Sequence, residues 1–216
     1  MKMKIWSDGI MRKFLAVIGL VVLTSACAGL PGSAPTNFYV IKPAAGLAPE
    51  AAAKDLPEGI SVGVGPIQIP GYADRAQIIT FDAGSRVTVA DFDHWAAPLG
   101  DTIKRISSAN VAALLGEENV FPYPADFRPD QRALQIALEI VDIGQLEDGR
   151  AWVNARWHVK RLYDNQVAMR GSGSYEEPTT AGDYDSYAEG LSVIFGRLAK
   201  DLVASLDKVQ FNATTN

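Results

Sequence analysis

Cys27 is the only cysteine in this 216-residue chain, and it stands directly behind a short apolar run. Arg12-Lys13 are followed by FLAVIGLVVL at 14–23 and then by Thr24-Ser25-Ala26. Basic flank, apolar stretch and small residues in that order make a secretory signal peptide, here one whose cleavage leaves a cysteine at the mature amino terminus. The thiol is then an attachment point for lipid, as in a bacterial lipoprotein precursor. Thr24 occupies the place where the commonest cleavage box has Leu, with Leu23 one residue upstream. The run is too short to span a hydrocarbon core, which takes roughly 17–25 helical residues. An uncleaved signal anchor and a buried free cysteine are the alternatives. An acidic residue and a tryptophan in the ten residues before Met11 suggest initiation at Met11. With no second cysteine to bridge to, an exported domain must be held by packing alone.

Taking 1–26 as signal peptide removes Lys2, Lys4, Arg12, Lys13 and Asp8, which leaves 16 basic against 24 acidic residues and a net charge of −8. Such a domain repels phosphate backbones and anionic headgroups, so neither nucleic acid nor polybasic membrane docking fits. Membrane contact is expected from acyl chains. Residues 27–37, with AGLPGSAPTN after the cysteine, read as a lipidated flexible tether. Residues 38–208 make one domain, large enough to bury a real core, and 209–216 a polar, disordered tail.

The pattern predicts strands at 38–41, at 60–64 ending where Gly65-Pro66 and Pro70-Gly71 impose turns, and a hairpin of 76–81 with 86–90. From Pro98 to Leu115, Leu99, Ile103, Ile106 and Leu114 recur near helical spacing, ending at Gly116. Leu134, Ile136, Leu138 and Ile140 alternate, as do Val153, Ala155, Trp157 and Val159 beyond Asp148-Gly149. They make a long hairpin with one buried face, and Asn154, Arg156, His158 and Lys160 are expected on a solvated one. Another strand over 166–177 and a closing helix over 183–208, striped by Tyr187, Leu191, Ile194, Leu198 and Leu202, complete the chain. Two helices with six or seven strands predict an α/β fold, a mixed β-sheet with helices packed on it.

Catalytic signatures are weak. Only His94 and His158 are present, with no Cys/His metal spacing, so no metal and no cofactor is expected. GVGPIQIPG at 63–71 lacks the lysine of a phosphate loop and reads as a strand end. Ser172 in GSGSY sits in a strand-like run instead of a strand-to-helix elbow. His94 reads as a packed or capping residue, and Asp74-Arg75 as a local ion pair in a turn. Pro98 suits a first helical position with Trp95 packing back as an apolar staple, which makes Trp95, Pro98 and Leu99 structural. The turn at Pro70, Gly71, Tyr72 and Arg75 differs, because a tyrosine held on a proline-glycine loop is a good protein contact.

Three segments carry a resemblance: VGPIQIPGYADRAQIIT at 64–80, DHWAAPLGDTIKRISSANVAALL at 93–115 and YDSYAEGLSVIFGRLAKDLVASL at 184–206. So spaced, they resemble the ABC-type transport auxiliary lipoprotein family, with Trp95, Ala96, Pro98 and Leu99 matching its W-A-x-P-L element. Ala73 departs from the Leu that many members carry in the Y-L-x-R element. The resemblance implies a three-layer sandwich similar to the amino-terminal domain class of TolB. It implies a non-catalytic accessory subunit of an MCE-type lipid transport system, with an MCE-domain periplasmic protein as partner and self-association as in ring-forming members. A structural or envelope-assembly lipoprotein and a periplasmic hydrolase are the competing classes. Ala28, where an inner-membrane retention signal would place Asp, implies the outer membrane.

Overall fold

The computed structural model describes residues 34–49, 60–82, 86–130 and 132–209. Cys27, the signal segment, most of the tether and the tail beyond Val209 lie outside the described residues. The elements described below belong to one compact unit that begins at Thr36.

The strands are β1 (Asn37–Tyr39), β2 (Val62–Gln68), β3 (Gln77–Phe81), β4 (Val87–Trp95), β5 (Val120–Pro122), β6 (Leu134–Gln145), β7 (Arg150–Arg161) and β8 (Gln166–Pro178). Among the described residues two α-helices join them, α1 (Leu99–Leu115) after β4 and α2 (Tyr184–Leu206) after β8, with a short 3-10 turn at Glu117–Asn119. The larger sheet has the order β5-β2-β6-β7-β8 and the smaller β1-β4-β3. β2 runs parallel to β5 and to β6, while β6, β7 and β8 form an antiparallel meander. In the smaller sheet β1 is parallel to β4 and β3 antiparallel to it. Both sheets are therefore mixed, with helices packed on them, as expected. The strands number eight among the described residues and divide between two sheets, where the sequence suggested six or seven in one.

Alternation builds the meander. Leu134, Ile136, Leu138 and Ile140 of β6 and Ala151, Val153, Ala155, Trp157 and Val159 of β7 are all buried and face the helices. The turn between them closes with the Gly149 N–H donating to Leu146 O at 2.9 Å, and Gly149 takes φ +88°. A side chain there would also collide with the Thr179 carbonyl, so only glycine fits. Tyr187, Leu191, Ile194, Leu198 and Leu202 form the predicted stripe of α2, each at most 3 % exposed. Asp183 caps that helix by accepting from the Ser186 N–H at 3.1 Å. Val209 is buried beyond its last turn.

Two strands run further than their sequence suggested. β2 does not stop at Gly65-Pro66 but continues to Gln68 through a register shift between Val64 and Ile67. Gly65, at φ +133°, lies where a side chain would strike the Tyr123 carbonyl, and its own carbonyl accepts from Gln135 Nε2 at 2.8 Å. β4 continues past Ala90 to Trp95, because Asn37, Phe38 and Tyr39 pair with Asp93, His94 and Trp95. β5 had no counterpart in the sequence reading.

Pro98 is the N-cap of α1 instead of its first helical residue, with its carbonyl accepting from Thr102 N–H at 3.0 Å and no side chain capping the helix. The Trp95 ring packs on Tyr187 of α2 at 5.7 Å between centroids, within the core cluster that also holds Leu99 and Ile103 of α1.

Candidate functional site

The chain leaves β2 through half-buried Ile69 and Pro70 into a tight turn in which the Ala73 N–H donates to Pro70 O at 2.9 Å. Ala73 is 2 % exposed, so it plugs the turn into the core while Gly71, Tyr72 and Arg75 face outward. The small side chain, where a resembling sequence has Leu, suits that enclosed place. Arg75 Nε donates to Gln77 Oε1 at 3.3 Å, a bond local to the turn and the start of β3.

Tyr72 reaches from this turn to β6. Its hydroxyl donates to Asp142 Oδ1 and accepts from the Ile143 N–H at 3.0 Å. These partners sit where β6 shifts register between Ile140 and Asp142, and that irregularity frees an N–H for the phenol. The Tyr72 hydroxyl is pushed far above its ordinary pKa, first by burial and then by the bond to Asp142. The ring stands edge-on to Phe81 at 5.7 Å, and Phe81 stands likewise to Trp152 at 5.0 Å. Gly144 lies against both of the latter rings, where a side chain would overlap them. Tyr72 nevertheless remains 39 % exposed, with its hydroxyl fixed and part of its ring open.

Next to this turn lies the face of the larger sheet that no helix of the described residues covers. A groove of about 480 Å³ crosses it, bordered by Gln68, Glu139, Arg156, His158 and Arg170 with Ala137 in its floor. The groove meets β6 at Ala137–Glu139 and the Tyr72 anchor meets it at Asp142–Ile143, so the two features share one strand. Arg156 pairs with Glu139 at 3.0 Å across exposed surface, which contributes little to stability. His158 is held below its ordinary pKa by burial, and then by the cationic Lys160 and Arg170. The sequence reading treats Asn154, Arg156, His158 and Lys160 as a solvated face. Its concavity was not legible, because Gly171 and Ser172, which line its β8 side, carry no signal until they are paired with β7.

The other candidate residues divide by burial. Trp95 is 6 % and Leu99 3 % exposed, both in the core, while Pro98 is exposed at the start of α1. The Trp95 N–H donates to Ala76 O at 2.7 Å, which ties the end of β4 to the end of the Tyr72 turn. The structure therefore brings Tyr72 and Arg75 onto the surface and withdraws Trp95 and Leu99 from it. Cys27 lies outside the described residues. No group of three or more His, Cys, Asp and Glu able to hold a metal occurs among the described residues. Nor is any helix there long and apolar enough to cross a membrane.

Comparison with solved structures finds the fold elsewhere. One match is a crystal structure of an uncharacterized protein, 12 % identical, with TM-score 0.61 over 79 % of this chain and 97 % of that one. Another is a protein from Xanthomonas campestris of family DUF330, also 12 % identical, with TM-score 0.61 over 78 % of this chain and 93 % of that one. At that identity the likeness concerns the fold alone. No curated protein matches the chain. The sequence model of the ABC-type transport auxiliary lipoprotein component matches residues 39–203, from β1 almost to the end of α2. The chain belongs to the family of ABC-type transport auxiliary lipoprotein components.

Proposed function

We propose that this protein is a lipid-anchored, non-catalytic accessory subunit of an MCE-type ABC lipid transport system, held by Cys27 at the periplasmic face of the outer membrane. Its work is to dock the periplasmic MCE-domain component through the turn at Pro70, Gly71, Tyr72 and Arg75. Trp95, Pro98 and Leu99 serve the fold.

The observation that carries this reading is the dual state of Tyr72, locked at its hydroxyl and open along its ring. An exposed aromatic normally loses rotamer freedom when a partner covers it. Here Asp142 and Ile143 have already fixed the side chain, so less of the contact's free energy is spent on ordering. Tyrosine and arginine are also the residue types that dominate interface hot spots, where truncation costs about 2 kcal/mol or more. Self-association of the subunit belongs to the same reading.

The test is a matched set of variants, each scored by thermal midpoint and by capture of a purified MCE-domain protein. Tyr72→Phe keeps the ring and removes the anchoring hydroxyl, so it lowers the midpoint and weakens capture, though less than Tyr72→Ala, since the partner must now order the ring. Arg75→Ala leaves the midpoint in place and weakens capture by about thirtyfold, the equivalent of a 2 kcal/mol hot spot. Trp95→Ala lowers the midpoint, and its folded fraction binds normally. Full-strength capture by a folded Arg75→Ala, Tyr72→Ala double variant would remove the docking role.

A further inference from the structure

At β1 and the end of β4 the smaller sheet turns one face toward α2 and presents exposed apolar residues on the other. On the inner side Tyr39 packs on Tyr184 at 5.8 Å and Trp95 on Tyr187 at 5.7 Å. On the outer side the register partners Phe38 and His94 stand together, their rings 6.0 Å apart and nearly perpendicular. Phe92, also exposed, lies two residues before His94 in the stretch where β4 shifts register against β3. Val40 continues the outward alternation of β1, since Ile41 beside it is fully buried. Phe38, Val40 and Phe92 are 65 %, 50 % and 43 % exposed, an apolar cluster in a chain that puts its other large aliphatic residues mostly inside. Beneath them the Nε2 of His94 is covered and lacks a hydrogen-bond partner.

We propose that this face, built on Phe38, Val40 and Phe92, is the surface by which the domain lies on the bilayer that holds its lipid anchor. The proposal rests on the lipid-anchor reading of Cys27. The length of chain between anchor and fold selects the membrane as occupant. Ten residues, 28–37, carry the chain from Cys27 to Asn37, the first residue of β1. Fully extended they span about 35 Å and as a coil about 17 Å, so β1 is the part of the domain held closest to the lipid. Phe38 is the second residue of that strand.

The chemistry of the patch suits an uncharged interface. The nearby carboxylate of Asp93 accepts from Asn37 Nδ2 and from the Tyr39 hydroxyl, both at 2.9 Å, and so is held by neutral donors. Asp91 is exposed at the rim, the exposed Lys42 follows Val40 by two residues, and Arg105 donates to the Ile41 carbonyl between them. Attraction must come from apolar burial at the headgroup boundary, not from anionic lipid. Acyl chains at Cys27 do not by themselves fix the orientation of the domain. A second contact at β1 and β4 fixes its orientation and with it the direction in which the Tyr72 turn points.

The test uses the full chain, processed and inserted into vesicles of phosphatidylethanolamine and phosphatidylglycerol. Acylation consumes the Cys27 thiol, so Phe92→Cys offers a single site for a polarity-sensitive fluorophore, and Ser174→Cys, exposed on β8 of the larger sheet, serves as control. The expected result is a blue-shifted emission at 92 that lipid-borne quenchers diminish, with neither effect at 174. Adding Phe38→Ser lowers the protected-to-free ratio of the label at 92 by about tenfold, the low end for removing one buried aromatic. The reciprocal pair, Phe38→Cys with and without Phe92→Ser, behaves the same way. A label at 92 that stays in water while the protein is anchored overturns this proposal and leaves the lipoprotein reading intact. A shift that persists in detergent and grows with protein concentration assigns the face to a second copy and overturns it, as does one that appears only when the MCE component is added. A chain found in the soluble fraction with an unmodified Cys27 defeats the anchor and this face together.

Discussion

Trp157 on β7 donates its indole N–H to the hydroxyl of Ser205 on α2 at 2.7 Å, inside the core. The hydroxyl in turn donates to the Asp201 carbonyl one helical turn back. Sheet and helix are thus joined by a polar bond inside the core, beside those of Tyr175 to Asp201 and of Arg197 to Glu176 O, and across the strand pair Gly171 leaves room for the indole. Ser205→Ala orphans a buried N–H and should lower stability by about 1–3 kcal/mol. Gly171→Val drives a branched side chain into the ring and should lower it by a similar amount. Denaturant midpoints at unchanged slope check both.

His158 titrates with Lys160 and Arg170 beside it and with its ring partly withdrawn from water. Its folded pKa lies below 6.5, so the neutral ring is favoured in the fold. The associated stability is complete above the unfolded pKa and declines as pH falls through 6.5 toward the folded value. Arg170→Ser removes one of the two cations and should raise the midpoint of the His158 ring resonance toward 6.5. With two histidines in the chain, a proton spectrum resolves it.

Five of the seven tyrosines, Tyr39, Tyr72, Tyr175, Tyr184 and Tyr187, are shifted upward, chiefly by burial. Tyr39 is pushed up to about 12, with Asp93 contributing after burial. Raised values favour the protonated phenol in the fold. Their contribution is therefore full below pH 10 and lost as pH rises through the folded pKa values. Phenolate absorbance from these five should appear only above pH 10, together with cooperative unfolding. Ionisation of all five in the native fold near pH 10 would contradict the assigned environments.

Cys27→Ser should abolish incorporation of labelled palmitate and release the chain from the membrane fraction or leave its precursor uncleaved. Ala28→Asp should move the lipidated protein from outer to inner membrane on a density gradient. Wild-type protein sedimenting with the inner membrane would defeat the sorting argument.

The parts of the fold that were legible in the sequence are those in which neighbours along the chain are neighbours in space. The β6–β7–β8 meander and both helices follow from periods of two and 3.6, and Asp183 announces the start of α2. Parallel pairing leaves no such trace. Val62 meets Leu134 seventy-two residues later, and β5, three residues ending in Pro122, is a strand only because β2 lies beside it. The same distance hides the Tyr72 site. Its exposed turn could be read from Pro70-Gly71, but the Asp142 that fixes the phenol lies seventy residues away. The run Asp91-Phe92-Asp93-His94 looks too polar for a strand until β1 supplies its pairing.

The position of β6 at the middle of the larger sheet also governs how an exported chain can fold. A chain that crosses a membrane amino terminus first delivers β1 and β2 to the far side early, when neither has a partner. β2 has nothing to pair with until residues 120–138 arrive, whereas β6, β7, β8 and α2 are consecutive and can assemble from contacts short in sequence. Folding therefore starts at the trailing end. The leading third of the molecule must wait as open chain in the periplasm, where attachment to lipid at Cys27 would keep it beside its point of entry and away from other unfolded chains.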